Sequence, residues 1–210
     1  MPALRSLVVG DAPEPWEQLG FTVIDSTVEL GRVTIVLVGD DGERGIIGWS
    51  LAGVDENVDG LASIPLVDTT SGSSFGDHNN GVFRVEGITL HSDDLDRSVT
   101  AFEAAGLQQR DPGVFWAGRS IIALERAPAG GAINAGTATF GRLSLGTDDF
   151  DRTAELLGSG LGEPRPASQE GRIVGTVDAE QVGISVPIDI VSPHPSAGIE
   201  QLAADARAGH

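Results

Sequence analysis

The chain has 210 residues, 40% hydrophobic and 21% charged, with a net charge of −18 and no cysteine. That length can bury a sizeable core, and the absent thiols exclude disulfides, thiolate metal sites and cysteine nucleophiles. All 13 basic residues are Arg; so acidic a chain repels nucleic-acid phosphates and anionic membranes and favours cationic partners at long range. No apolar run approaches the ~20 residues that span a bilayer, and Met1–Leu7 lacks the apolar stretch of a secretory signal, so a cytoplasmic location is expected. In chain order, Ser6–Val9 reads as a strand, and Asp11 caps a short helix from Pro13 to Leu19 that ends at Gly20. Phe21–Leu30, Val33–Val38 and Gly45–Val54 read as strands, with turns at Gly31 and over residues 39–42. Residues 55–82, rich in Gly, Ser, Asp and Asn and including Thr69–Ser74, are expected to be a linker.

A repeat follows. Residues 91–97 read His-Ser-Asp-Asp-Leu-Asp-Arg and residues 146–152 read Gly-Thr-Asp-Asp-Phe-Asp-Arg, an offset of 55 from Asp93 to Asp148. Each copy follows an apolar run (Val85–Leu90, Phe140–Leu145) and precedes a helical pattern. Ser92 or Asp93, and Thr147 or Asp148, are positioned as helix caps, with further acids at the positive end of the helix dipole. Leu95, Val99 and Phe102 share one helix face, as do Phe150, Ala154 and Leu157. Gly106 and Gly158 or Gly160 stop the helices. Strand candidates then come at Leu107–Arg110, Val114–Ala117 and Ser120–Arg126, and again near Glu163–Pro166, Arg172–Val177 and Val182–Ser192. Residues 193–210 form a tail with a helical pattern from Ile199 to Ala206.

Each unit therefore reads strand, helix, three strands, and residues 1–54 read as a third, diverged copy. The run Arg84-Val85-Glu86-Gly87-Ile88-Thr89-Leu90, followed by Asp93-Asp94-Leu95-Asp96-Arg97, resembles the opening strand and helix of the glyoxalase, bleomycin-resistance and extradiol-dioxygenase (vicinal-oxygen-chelate) superfamily. The resemblance implies an α+β fold. Two βαβββ units over 83–192 pair into an eight-stranded curved sheet with a cleft, beside the diverged N-terminal unit. Three units leave one sheet unpaired, which predicts a homodimer or packing of the first unit on its own chain.

Metal-dependent members carry ligands on the first and last strand of each unit. The resemblance places those positions at Gly87, Glu125 and Arg142 and near Asp189 or Ile190, and in the first unit near Ser6 and Leu51 or Ala52. Gly87 has no side chain and Arg142 is a permanent cation. That leaves Glu125 and Asp189 as weak metal candidates, where a divalent ion wants about three or four protein ligands. No cofactor is expected. Arg142 and Glu125 are expected to meet on the cleft floor, where the guanidinium either receives an anionic or carbonyl-bearing ligand or neutralises a buried carboxylate. Thr89 and Ser144, on the same opening strands, join the candidate ligand-binding set. His91 ends its strand facing the cleft by alternation; it either touches ligand or bonds near Asp93 and Asp94 at the surface. His78 reads as a solvated turn residue. Trp16 is expected in the core, whereas Trp49 and Trp116 either fill the core or line a pocket for a planar or cationic ligand. No Gly-x-Ser-x-Gly or phosphate loop occurs.

Three readings of function remain. One is a protein that binds a small organic molecule, cationic or aromatic, in the cleft. Another is a divalent-metal lyase, isomerase or dioxygenase, and the last a degenerate unit kept for assembly. A Trp exposed in an ordered pocket favours the first, metal on Glu125 the second, and a collapsed apolar cleft the third.

Overall fold

The computed structural model describes residues 1–39, 41–65, 78–128 and 136–194. The elements are β1 (Ala3–Val9), α1 (Pro13–Gln18), β2 (Thr27–Leu30), β3 (Val33–Leu37), β4 (Ile46–Ala52), β5 (Val82–Ser92), α2 (Leu95–Ala104), β6 (Gln108–Asp111), β7 (Val114–Ala117) and β8 (Ser120–Arg126). They continue with β9 (Thr139–Thr147), α3 (Phe150–Leu157), β10 (Arg165–Pro166), β11 (Ile173–Thr176), α4 (Ala179–Val182) and β12 (Ile188–Val191). The expected α+β architecture is present. One sheet has eight strands in the order β10-β11-β12-β9-β5-β8-β7-β6, and a second has the order β2-β3-β1-β4. In both later units the first strand runs parallel to the last, β5 beside β8 and β9 beside β12. The antiparallel β5–β9 pairing joins the units edge to edge.

The repeated sequence run builds the same helix start twice. Asp94 accepts the Arg97 N–H at 3.0 Å, and Asp149 accepts the Arg152 N–H at 3.0 Å. These are the caps, one residue later than Asp93 and Asp148, because Ser92 and Thr147 are occupied elsewhere. Their hydroxyls take the Asp94 and Asp149 N–H groups and contact Ser98 Oγ and Thr153 Oγ1 at 2.6 and 2.7 Å. Each cap is worth ~1 kcal/mol.

Alternation along the strands divides the large sheet into two faces. Ile88, Leu90, Phe115, Ile122, Leu124, Leu143, Leu145, Ile188 and Ile190 are buried. They face α2 and the four-stranded sheet, so the N-terminal unit packs on its own chain. Trp49 of β4 sets its ring edge-on to Phe102 at 6.0 Å and Phe140 at 5.3 Å. Asp11, fully buried, accepts from Trp16 Nε1 at 3.2 Å, from the Ser185 N–H at 3.0 Å and from Ser185 Oγ at 2.5 Å. This bolts the first unit to the last. Within the first unit β3, not β4, lies parallel beside β1, and β4 pairs with the other edge of β1. Leu51 and Ala52 are therefore not on the strand that corresponds to β8.

Within 55–82, residues 55–65 fold back on the core. Val58 and Leu61 are buried, and Asp59 bonds Arg97 Nε at 2.9 Å and Ser98 Oγ at 2.5 Å. Thr69–Ser74 and the helical pattern of the tail lie outside the described residues. His78 is not solvated. It is buried, accepting the Thr22 N–H at Nδ1 (3.0 Å), with Nε2 2.9 Å from the Glu29 carbonyl oxygen. The last unit has shorter strands than expected. Pro164 and Pro166 leave β10 two residues long, since proline gives the ladder no donor. Asp178 caps α4 and Gly183, at φ 77°, ends it, so that β12 begins only at Ile188.

Candidate functional site

The face opposite the core is the concave one. Residues opposed across successive strand pairs share a face, and the registers give one row across the sheet: Thr176, Asp189, Ser144, Gly87, Ile121, Trp116, Gln108. Around the first part of this row lies a cleft of about 290 Å³, lined by Thr89, Glu125, Arg142, Ser144, Arg165 and Asp189 among others. A lobe of about 320 Å³ continues from Thr89, Glu125 and Arg142 to His91. The structure thus gathers Thr89, His91, Glu125, Arg142, Ser144 and Asp189 around two adjoining pockets that share Thr89, Glu125 and Arg142. Gly141 makes room for His91: a Cβ there would stand 2.8 Å from the imidazole Cε1.

Two expectations are corrected. Arg142 does not pair with Glu125; its Nη1 bonds Asp189 Oδ2 at 3.0 Å, because β12 sets Asp189 directly beside Ser144. Asp189 also accepts from Thr176 Oγ1 at 2.6 Å, and its side chain is only 9% exposed, whereas that of Arg142 is 43% exposed. The pair therefore neutralises one buried carboxylate and leaves the rest of the guanidinium facing the cleft. Arg142 Nε is enclosed with no hydrogen-bond partner among the described residues. Glu125 is exposed and, among the described residues, forms no ion pair. Trp49 lies in the core with 0% exposure and does not line the cleft, since β4 faces α2. Trp116 is on the concave row and 37% exposed.

Sequence reasoning missed Glu86, Arg165 and Arg172. The β5–β9 register shifts between Val85 and Gly87, and this bulge turns both Glu86 and Gly87 toward the cleft. Glu86 accepts from Arg172 Nη2 at 2.8 Å and from Arg84 Nε at 3.0 Å. Burial opposes its ionisation, but hydrogen bonds from Arg172 and Arg84 outweigh burial and hold the carboxyl below the usual glutamate value. Arg172 is itself buried and also donates to the Ser192 carbonyl at 2.6 Å. Nothing in a linear pattern marks this network, because a bulge breaks the alternation on which such reading depends.

No family model matches the sequence, and no curated protein matches it. Solved structures do. A xylose isomerase-like TIM barrel/4-hydroxyphenylpyruvate dioxygenase fusion protein aligns with 98% of this chain at TM-score 0.57 and 13% identity. The chain has the glyoxalase-like, vicinal-oxygen-chelate fold. It spans about half of that fusion protein, 52% of its length. Methylmalonyl-CoA epimerase from Mycobacterium tuberculosis aligns over 57% of this chain and 93% of its own, at TM-score 0.43 and 16% identity. The Streptomyces coelicolor epimerase aligns over 52% of this chain and 96% of its own, at TM-score 0.39 and 22% identity.

Two of the positions expected to hold a metal carry no ligand side chain, Gly87 and Arg142. A Cβ on Gly87 would stand 2.6 Å from the Ile121 carbonyl oxygen and 2.6 Å from Ile121 Cγ1, so that position is closed to any side chain. Arg142 puts a cation at the second position, and Asp189 is spent on Arg142 and Thr176. Among the described residues no group of three or more His, Asp or Glu side chains converges where it could hold a metal.

Proposed function

We propose that this glyoxalase-like protein binds a small organic anion in its cleft, with the exposed part of Arg142 taking the place that a metal ion has in metal-dependent members. The observation that carries this reading is the pairing of a closed ligand position at Gly87 with a guanidinium at Arg142. Three further features support it. Only one Arg142 nitrogen is engaged by Asp189, so the planar fork has donors left for a carboxylate or carbonyl. The Ser144 and Thr89 hydroxyls stand beside it on the same wall. The cleft mixes polar and apolar lining and is about 290 Å³ in volume, which is room for a small molecule and argues against a collapsed unit kept only for assembly.

Calorimetric titration with malonate, alongside Zn²⁺, Ni²⁺, Mn²⁺ and Fe²⁺, tests the reading. Malonate is expected to bind, and Arg142→Gln to weaken it about tenfold or more, the loss of one charge-assisted contact. Stoichiometric metal that Glu125→Ala abolishes would overturn the proposal in favour of a metal-dependent enzyme.

A further inference from the structure

Beyond Gly87 and Ile121 the concave row reaches Trp116, and there a second hollow, a mouth of about 650 Å³, lies beside the cleft. Four Arg (Arg84, Arg110, Arg119 and Arg172) and two Glu (Glu86 and Glu170) line it, an excess of positive charge on a chain whose net charge is −18. These guanidinia are not equivalent. Arg84 and Arg172 are spent on Glu86. Arg110 lies over the Trp116 ring, 5.0 Å from its centroid, with Nε 3.3 Å from Asp111. Arg119, exposed at the tight β7–β8 turn beside Gly118, forms no ion pair among the described residues. An indole 37% exposed, with one guanidinium over its ring and another lining the same mouth, is a surface for a flat ring bearing negative charge.

We infer that this mouth is a second subsite, which takes a planar aromatic anion through Trp116, Arg110 and Arg119. The inference rests on the ligand-binding reading above and adds the class of ligand. Trp116 lies three strands from Ser144 along the row, or about 14 Å at ~4.8 Å per strand. A molecule that fills both subsites is therefore extended, with a small anionic head at Arg142 and a flat charged end at Trp116. The mouth shares Glu86, Ile121, Gln169 and Arg172 with the cleft, so the two adjoin.

Trp116 also reports on its own occupancy. Trp16 and Trp49 are 0% exposed and the chain has no Tyr, so a quencher in solution reads Trp116. The experiment is titration of the intact protein with 4-nitrobenzoate, a flat anionic quencher, and with the neutral 4-nitrobenzyl alcohol. Saturable quenching by the anion is expected, at least about fivefold tighter than by the alcohol, and weakened about fivefold by Arg119→Gln, an exposed turn substitution that leaves the core intact. Trp116→Leu should remove the quenched emission. Quenching that does not saturate, that the alcohol reproduces equally, or that Arg119→Gln leaves unchanged would overturn the inference. Arg142→Gln separates the two proposals. Malonate binding that fails while 4-nitrobenzoate still saturates at Trp116 removes the Arg142 reading alone. The converse removes the mouth subsite alone.

Discussion

Replacing Gly87 by Ala tests whether the first-strand position is closed. The new methyl carbon would meet the Ile121 carbonyl oxygen and Ile121 Cγ1, each at 2.6 Å, with the Ile121 carbonyl carbon at 3.3 Å. One of those contacts is flexible side chain, but the others are backbone of the neighbouring strand, and Gly87 pairs with Ile121 in the ladder. Relief therefore requires β5 and β8 to part locally, an overpacking cost of ~1–3 kcal/mol. Against it stands a gain of ~0.5–1 kcal/mol, since Ala loses less backbone entropy than Gly on folding. The net expectation is a loss of ~1–2 kcal/mol, which for a chain of this size lowers Tm by ~2–8 °C. Thermal unfolding followed by circular dichroism at fixed pH measures it. Ile121→Ala in the same chain should recover only part of the loss, because it removes the Cγ1 contact and leaves the carbonyl. A Tm that is unchanged or higher in Gly87→Ala would refute the reasoning. The position would then be open, and uptake of Zn²⁺ by Gly87→His would become the relevant measurement.

Three other outcomes follow from the geometry. Asp11→Ala leaves Trp16 Nε1 and the Ser185 N–H and Oγ without their buried acceptor, and should cost ~2–4 kcal/mol in urea unfolding. Asp59→Ala removes the acceptor for Arg97 and Ser98; faster amide exchange over residues 55–65, with little change in β5, is the expected reading. Glu86 has its carboxyl pKa held low, so its contribution is fully present above the ordinary glutamate value and is lost as pH falls through the depressed one. The stability gap between the wild type and Glu86→Gln should accordingly be widest at neutral pH and close in acid. A gap that widens in acid would contradict the assigned direction.

The architecture was legible because its information is local and repeated. The 55-residue offset, the Asp-Asp-apolar-Asp-Arg run and the glycine stops each recur, and one face of each strand is apolar. Alternation placed His91 on the cleft side, and the family resemblance placed Glu125 there, with Thr89 and Ser144 beside them on the opening strands. The site's pairings were not legible, since they depend on register between segments far apart in sequence. Asp189 rather than Glu125 partners Arg142 because β12 lies directly beside β9, whereas β5 stands between β9 and the β8 strand that carries Glu125. Glu86 enters through a bulge that no period predicts. Trp49 and Trp116 look alike in sequence, each in a short apolar strand. They part only because β4 belongs to the sheet that covers the core and β7 to the one that forms the cleft.

The two-faced sheet has a consequence for how such a chain can change. One alternating set of residues on β5, β8, β9 and β12 is buried in the core, and most of the residues between them line the cavity. Where a cavity residue is exposed and forms no ion pair among the described residues, as at Glu125, its substitution leaves the core almost undisturbed. At such positions a chain can exchange one side chain for another, and one class of small molecule for another, at little cost in folding free energy, whereas Gly87 and Glu86 are held by the contacts described above. The chemistry of the cavity is most replaceable at the positions that hold nothing else together.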